Sequence, residues 1–136
     1  MKKGFVCGVF DMYHAGHVMM LNECKLNCDY LIVALNKCQN INNKINPGKN
    51  KPLYSFKERL IILESCKYID ELLAYSSENE LLELLQTLKI DIRFLGDDYK
   101  NRMITGNDLN IPLYFIDRSH GKSTTNYKIK MIDLLK

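Results

Sequence analysis

Two histidines three positions apart are the residues best suited to do chemistry in this sequence. His14 and His17 follow the apolar run Phe5-Val6-Cys7 and a turn that contains Gly8. The segment 16–27 is predicted to be helical, so both imidazoles lie at or just before a helix N-terminus. Unpaired backbone N–H groups and a dipole of about +0.5 charge favour an anion there. The spacing therefore predicts a phosphate site.

The elements that must position the histidines alternate between strand and helix. Strands are predicted at 3–8, 29–35, within 68–75, at 91–95 and at 111–116. Capping boxes at Ser55 and Ser77 begin two helices, and Ser123 or Thr124 is predicted to cap the last. The order predicts a single α/β domain over 1–136. We expect a Rossmann-like, doubly wound sheet of about five mostly parallel strands, with flanking helices and right-handed crossovers.

Two further expectations concern packing. The helix that follows His17 is predicted to bury one stripe, made of Val18, Leu21, Cys24, Lys25 and Cys28. Pro112 at the start of the last strand predicts that this strand lies at an edge of the sheet.

Polar clusters stand after several predicted strands. Besides the histidine pair, they are Lys44 in a long polar loop that also holds Lys49 and Lys51, the pair Asp97/Asp98, and the segment 118–125. In a doubly wound sheet, ligands bind beyond the carboxyl ends of the strands. The clusters are therefore expected to meet around one ligand.

Composition narrows the classes of function. The chain has 136 residues, 46% of them apolar and 26% charged, with a net charge of +3. No basic block favours nucleic acid, and no apolar run approaches the roughly 20 residues of a membrane span. Five irregularly spaced cysteines indicate reduced thiols. We expect a cytoplasmic protein with neither a nucleic-acid nor a membrane partner.

These residues together resemble the cytidylyltransferase family, in particular its glycerol-3-phosphate cytidylyltransferases, over essentially the whole chain. Gly8-Val9-Phe10-Asp11 with His14-Ala15-Gly16-His17 is similar to the family's HxGH signature. Lys44 stands where the family has a phosphate-binding lysine. Three further stretches resemble family motifs: Glu58-Arg59, Gly96-Asp97-Asp98-Tyr99 and the segment from Arg118 to Thr125.

The resemblance implies transfer of CMP from CTP to a small phosphorylated alcohol, giving CDP-glycerol and pyrophosphate if that alcohol is sn-glycerol 3-phosphate. It implies Mg²⁺ carried by the triphosphate, no metal ligand from the chain, and a homodimer. The catalytic residues it implies are His14, His17, Lys44 and Arg118. Lys44 and Arg59 would bind the acceptor. The nucleotide would be bound by Gly8, Val9, Phe10, Asp11, Ala15, Gly16, Asp97, Ser119, Gly121, Ser123, Thr124 and Thr125.

The sequence departs from the family at several places. Ser119-His120 stands where the family has Thr-Glu, and Asn36-Lys37-Cys38 where it often has Ser-Thr-Asp. Leu81 and Leu82 lie where a lysine often meets the glycerol phosphate. Two alternatives follow: an adenylyltransferase acting on another phosphate, such as a heptose 1-phosphate, and a nucleotide-binding module without turnover.

Several residues keep open roles at this point, and His120 and Lys122 are assigned none. Phe10 lies beside the nucleotide or in the core. Asp11 contacts Mg²⁺, or it orients a histidine or caps the helix. Asp97 and Asp98 are a metal pair or ordinary turn carboxylates.

Overall fold

A five-stranded parallel sheet forms the centre of the molecule. The computed structural model describes residues 1–37 and 52–136, so the predicted Lys44, Lys49 and Lys51 lie outside the described residues. The strands are β1 (Lys3–Gly8), β2 (Tyr30–Asn36), β3 (Glu71–Tyr75), β4 (Ile92–Gly96) and β5 (Leu113–Ile116). Their order is β3-β2-β1-β4-β5, and every pair is parallel. The predicted doubly wound α/β fold is confirmed.

Each described helix begins at a residue whose side chain accepts a hydrogen bond from a backbone N–H of the first turn. The helices are α1 (Ala15–Leu26), α2 (Phe56–Glu64), α3 (Glu78–Thr87) and α4 (Thr124–Leu134). Their caps are His14, Ser55, Ser77 and Ser123. The predicted caps of α2 and α3 are confirmed, and of the two candidates for α4 it is Ser123.

The sheet is covered on both faces, which explains why its central strands are nearly continuous apolar runs. Alternate side chains of β1 point to opposite faces, so Val6 and Phe5 enter two different core clusters. The Val6 cluster includes Leu21 of α1 and Leu63 of α2. The Phe5 cluster includes Leu81 and Leu85 of α3. We call the second side the α3 face.

The predicted stripe of α1 is wrong at Val18, which is 36% exposed. Leu21 and Cys24 are fully buried, and Met20 packs against the core instead of Val18. Lys25 reaches Asp70 at the surface, where its Nζ lies 2.6 Å from a carboxylate oxygen. The helix therefore meets the sheet with a narrower face than the apolar spacing suggested.

Strand β5 pairs with β4 alone and forms an edge of the sheet, as Pro112 predicted. The chain between β4 and β5 holds two short 3₁₀ turns, at Asp97–Tyr99 and Asn107–Leu109.

Among residues 1–37 and 52–136, no helix has the length and apolar character needed to cross a lipid bilayer.

Candidate active site

A cavity of about 300 Å³ opens at the carboxyl ends of β1 and β4. Doubly wound sheets bind ligands at this edge, where crossovers leave to opposite faces. The structure brings together two clusters that are far apart in sequence, the start of α1 and the segment before α4. The sequence-predicted residues that line the cavity are Gly8, Val9, Phe10, Asp11, His14, Gly16, His17, Arg118, Ser123, Thr124 and Thr125.

The two histidines form a reciprocal capping box at the start of α1. Nδ1 of His14 accepts the Gly16 N–H at 3.0 Å, and the His14 N–H donates to Nδ1 of His17 at 3.1 Å. The rings stack with centroids 3.9 Å apart. Since both Nδ1 atoms accept hydrogen bonds, the proton of each neutral imidazole sits on Nε2. Backbone geometry thus fixes the tautomer that can donate to a ligand.

The Nε2 atom of His14 is buried and has no hydrogen-bond partner within the part of the chain that the structure describes. A buried donor without a partner costs about 1–3 kcal/mol. Burial lowers the pKa of His14, and the charges of Arg118 and His120 lower it further. His14 is therefore a neutral imidazole near pH 7, with an N–H donor that an anionic ligand would satisfy.

Aromatic rings hold the histidine pair from both sides. The Tyr13 ring stacks on His17 with centroids 5.7 Å apart, and Tyr127 of α4 lies 4.9 Å from His14. Phe10 lies 5.5 Å from His17 and is 5% exposed. Its φ of 51° is left-handed, a region that side chains rarely adopt. Phe10 belongs both to the core and to the cavity lining, so its two open roles are compatible.

Gly16 lies where α1 meets the segment before α4. A Cβ on Gly16 would stand 2.6 Å from the Lys122 carbonyl oxygen and 2.8 Å from the His14 ring. The missing side chain therefore allows a close approach of two backbone segments. Gly121 adopts a φ of 72°, which glycine tolerates and most residues do not.

Arg118 enters the cavity from the end of β5. Its Nη1 lies 3.6 Å from a carboxylate oxygen of Asp98, and its backbone N–H donates to Asp97 at 3.3 Å. These two carboxylates therefore help to position an arginine. The described residues contain no group of three or more His, Cys, Asp or Glu arranged to hold a metal ion.

Asp11 is a structural junction at the cavity wall. Its carboxylate accepts the backbone N–H groups of Leu53 and Tyr54 at 2.7 and 2.9 Å. Lys128 of α4 lies 3.5 Å from the same carboxylate, and the Thr124 hydroxyl donates to the Asp11 carbonyl at 2.8 Å. Asp11 joins three segments of the chain, a role that differs from each of the alternatives expected for it.

Arg59 lies behind the cavity and is not among its lining residues. It is fully buried, and its guanidinium donates to the carbonyls of Tyr54, Val9 and Asn36. Its Nη2 has no hydrogen-bond partner among the described residues. Burial lowers the pKa of Arg59, although the charge of Asp11 opposes the shift. Arg59 thus ties the ends of β1 and β2 together.

Not every predicted nucleotide contact lines the cavity. Those away from it in the described chain are Ala15, Asp97, Ser119 and Gly121. Lys44 lies outside the described residues.

The sequence reasoning missed Lys128, which lines the cavity. Its signal was available: Lys128 follows Thr124 by four positions, so both share one helix face. His120 and Lys122, whose roles the motif left open, also line the cavity.

A family sequence model described as cytidylyltransferase-like matches residues 5–119. Glycerol-3-phosphate cytidylyltransferase of Bacillus subtilis (strain 168) is 30% identical over 135 residues, covering 98% of this chain and 100% of that protein. Bifunctional protein HldE of Granulibacter bethesdensis is 33% identical over 136 residues, covering 97% of this chain and 27% of that protein. The chain spans about a quarter of the length of the HldE proteins that it matches.

Solved structures agree on the fold. A lipopolysaccharide core biosynthesis protein from Thermoplasma volcanium superposes with a TM-score of 0.63 and 26% identity, covering 86% of this chain and 95% of that one. A pantoate-beta-alanine ligase from Francisella tularensis gives a TM-score of 0.58 at 19% identity, covering 95% of this chain and 68% of that one. At that identity, the ligase supports the fold alone.

Proposed function

The chain belongs to the cytidylyltransferase-like family of nucleotidyltransferases, and from this premise we propose that it transfers CMP from CTP to sn-glycerol 3-phosphate. An oxygen of the acceptor phosphate attacks the α-phosphorus of CTP. The bond from that phosphorus to the oxygen bridging to the β-phosphorus breaks, and pyrophosphate leaves. The products are CDP-glycerol and pyrophosphate.

The reaction needs little acid–base help. A phosphate monoester has a second pKa of about 6, so the nucleophile is an anion at neutral pH. The site must then align the two phosphates and stabilise the charge that develops on the transferred group. His14 suits this task as a donor, since its lowered pKa keeps it neutral and its Nδ1 already accepts a hydrogen bond.

The buried Nε2 of His14, without a partner in the described chain, is the observation that carries the proposal. It lies at the N-terminus of a 12-residue helix, where backbone N–H groups also favour a phosphate. His17 and the side chains of Arg118, Lys122 and Lys128 line the same cavity. We expect these groups to surround a triphosphate, and the family resemblance implies a phosphate contact from Lys44 as well.

Mg²⁺ would enter with the triphosphate. Proteins usually hold this ion through one or two carboxylates and substrate phosphates, and it keeps several waters. Asp97 and Asp98, the carboxylates expected as a possible metal pair, face Arg118 instead. When bound, the ion would neutralise charge on the phosphates.

The proposal is tested by pyrophosphate release from purified protein with CTP or ATP. The acceptors to compare are sn-glycerol 3-phosphate, phosphoethanolamine, phosphocholine and sugar phosphates. We expect CTP with sn-glycerol 3-phosphate to give the highest kcat/KM. Tight CTP binding without pyrophosphate release from any acceptor would indicate a binding module instead.

The similarity to the HldE proteins favours a second candidate, an adenylyltransferase acting on a sugar phosphate such as a heptose 1-phosphate. A preference for ATP in the same assay would replace the first proposal with this one.

We further propose a cytoplasmic homodimer. No residue of α4 is buried, and its second half leaves Ile129, Ile132 and Leu134 more than half exposed. An apolar helix face of this kind suits a two-fold contact, the commonest form of oligomer. Sedimentation velocity should give twice the mass of the 15.8 kDa chain; a monomer at micromolar concentration would contradict it.

A further inference from the structure

The cavity extends from the histidine pair onto the α3 face of the sheet, where it is lined by polar side chains that the mechanism does not use. These are Cys7 of β1, Tyr75 of β3, Glu78 of α3, Arg93 of β4 and Thr105. We call this part of the cavity the α3-side pocket. None of its residues belongs to the motifs that identified the phosphate site.

Arg93 is the dominant group of the α3-side pocket. It is only 4% exposed, and its Nη1 donates to the Thr105 carbonyl. No carboxylate of the described chain lies within 4.0 Å of it. Burying a cation away from water costs several kcal/mol unless hydrogen bonds or an anion compensate. A guanidinium carries five N–H donors, so a ligand in the cavity would meet a strong donor group.

Glu78 gives the pocket an acceptor. Its carboxylate accepts the Thr105 hydroxyl at 2.5 Å, and Thr105 thereby links it to Arg93. The Cys7 thiol is close enough to be affected by both charges: burial raises its pKa, and its hydrogen bond with the neighbouring Arg93 acts in the opposite direction. The pocket therefore offers both donors and acceptors, as hydroxyl groups require.

The position of Arg93 along the sheet indicates which part of a bound substrate it would contact. Its Cα pairs with Phe5, three residues before Gly8 at the end of β1. At about 3.3 Å per residue, the Arg93 Cα is roughly 10 Å below that end, and its side chain extends to the Cys7 thiol, one residue before Gly8. A group held by the Arg93 guanidinium would thus lie on the α3 face, whereas the helix that begins at the histidine pair packs on the opposite face.

We propose that the α3-side pocket binds the end of the acceptor remote from its phosphate, and that Arg93 selects a polyol phosphate over a phosphorylated amine. The inference rests on the proposed function. Arg93 donates to hydroxyl oxygens of the polyol, and Glu78 accepts from its hydroxyl hydrogens. The buried guanidinium would repel an ammonium group more strongly than the half-buried, water-screened Glu78 would attract it, so phosphoethanolamine and phosphocholine are poor acceptors.

If Arg93 only held the turn before β5, replacing it would lower the stability of the protein without changing its affinity for the acceptor. The test is therefore a comparison of KM values. Initial rates of pyrophosphate release are measured for wild type, Arg93→Gln and Glu78→Gln, with CTP or acceptor varied in turn. Arg102→Gln is the matched control, because Arg102 is exposed and lies off the cavity.

We expect Arg93→Gln to raise the KM for sn-glycerol 3-phosphate about tenfold, the effect of losing a charged hydrogen bond, with the KM for CTP unchanged. Its preference for sn-glycerol 3-phosphate over phosphoethanolamine should fall as well. An unchanged acceptor KM, an effect on CTP alone, or a wild type that prefers phosphoethanolamine would overturn the inference. If Arg93→Gln does not fold, Glu78→Gln decides by the same criteria, since Glu78 is half-buried in the first turn of α3.

A direct binding measurement separates this inference from the proposed function. If CTP yields no pyrophosphate with any acceptor, the function fails, but calorimetric titration of sn-glycerol 3-phosphate in the presence of CMP still reports on the pocket. Binding to wild type that weakens about tenfold in Arg93→Gln would support the inference. No binding to the wild type would overturn it.

Discussion

The backbone N–H of His14 donates to Nδ1 of His17 at 3.1 Å, and the two rings stack with centroids 3.9 Å apart. This relationship makes the pair one unit: His14 caps the helix, and His17 caps His14. Each Nδ1 is thereby used by the backbone, which leaves Nε2 as the donor. In the proposed function, the helix start that would bind the phosphate and the side chains that would stabilise its charge are the same local structure.

Replacing His14 separates its two roles. His14→Ala removes the cap and the donor, whereas His14→Asn keeps a capping side chain and removes the Nε2 donor together with the ring contacts to His17 and Tyr127. We expect both variants, and His17→Ala, to lower kcat by roughly 10²–10³, about 2.7–4 kcal/mol, as when a preorganised donor is lost. His14→Asn should have a urea midpoint closer to that of wild type than His14→Ala, because it keeps the helix cap. A folded His14→Asn protein with near wild-type kcat would exclude the donor role.

The lowered pKa of His14 predicts a specific pH dependence of stability. In the unfolded chain a histidine titrates near 6.5, whereas in the fold burial and the charges of Arg118 and His120 keep it neutral to lower pH. Between the two pKa values the unfolded state binds more protons, so stability is lost as pH falls from about 6.5 through the folded pKa.

His14→Asn isolates this contribution, since asparagine does not titrate. Urea denaturation at several pH values between 7.5 and 5 should show wild type losing more of its free energy of unfolding than the variant. Parallel pH profiles for the two proteins would mean that the pKa of His14 is the same folded and unfolded.

Most of the fold was predictable, because it depends on local features of the sequence. Alternating strands and helices, capping serines and the edge proline are local signals, and the parallel sheet places the strand ends together. Burial that depends on distant partners was not predictable. Val18 fits the helical spacing but faces solvent. Arg93 interrupts a strand yet lies buried, because the carbonyl of the remote Thr105 accepts its hydrogen bond, and Thr105 is in turn bonded to Glu78.

In the candidate site too, residues identified by local motifs were predictable, and residues whose roles depend on packing were not. The motifs named the residues of the histidine pair and Arg118, since their types and order are themselves the signal. Two arginines have roles that depend on packing: Arg59, expected at the acceptor, does not line the cavity, and Arg93, which lines it, carried no motif. A guanidinium in a sequence does not reveal which carbonyls it will reach.

Arg59 is expected to stabilise the backbone segments that form the site, at the ends of β1 and β2. It donates to the carbonyls of Val9 and Asn36, at the ends of β1 and β2, from a fully buried position. Arg59→Lys keeps the charge but cannot reach both carbonyls and Tyr54 at once. Leaving buried carbonyls unpaired costs about 1–3 kcal/mol each, so the free energy of unfolding should fall by that order.

Urea denaturation measures this loss, with Lys57→Arg on the exposed side of α2 as control. Equal stability of Arg59→Lys and wild type, together with a raised KM for the acceptor alone, would instead support the direct acceptor contact that the family resemblance implies.

Gly16→Ala tests the contact between the start of α1 and the segment before α4. The new Cβ would lie 2.6 Å from the Lys122 carbonyl oxygen, a backbone atom, so the two segments must separate. We expect a loss of about 1–3 kcal/mol in stability, typical of overpacking, and weaker CTP binding. Gly8→Ala is the matched comparison: its Cβ would lie 3.3 Å from the Phe10 ring, a longer distance and to a side chain instead of backbone. Equal urea midpoints for the two variants would contradict the close approach.

Lys128 is predicted to be a nucleotide-binding residue that the motifs do not mark. It lines the cavity, and its Nζ lies 3.5 Å from the Asp11 carboxylate, which holds the amine beside the phosphate site. Lys128→Met keeps the length of the side chain and removes its charge. Because a partly buried charge-assisted hydrogen bond contributes about 1.5–3 kcal/mol, the KM for CTP should rise roughly tenfold or more, with a smaller change in acceptor KM.

Lys130→Met removes the same charge from the same helix at an exposed position off the cavity, so it controls for the loss of net charge. Steady-state kinetics at two salt concentrations separates local from long-range effects, since screening weakens only the latter. If Lys130→Met raised the KM for CTP as much as Lys128→Met does, the effect would come from the overall field of α4. A rise confined to Lys128→Met, and present at both salt concentrations, would place the amine at the triphosphate.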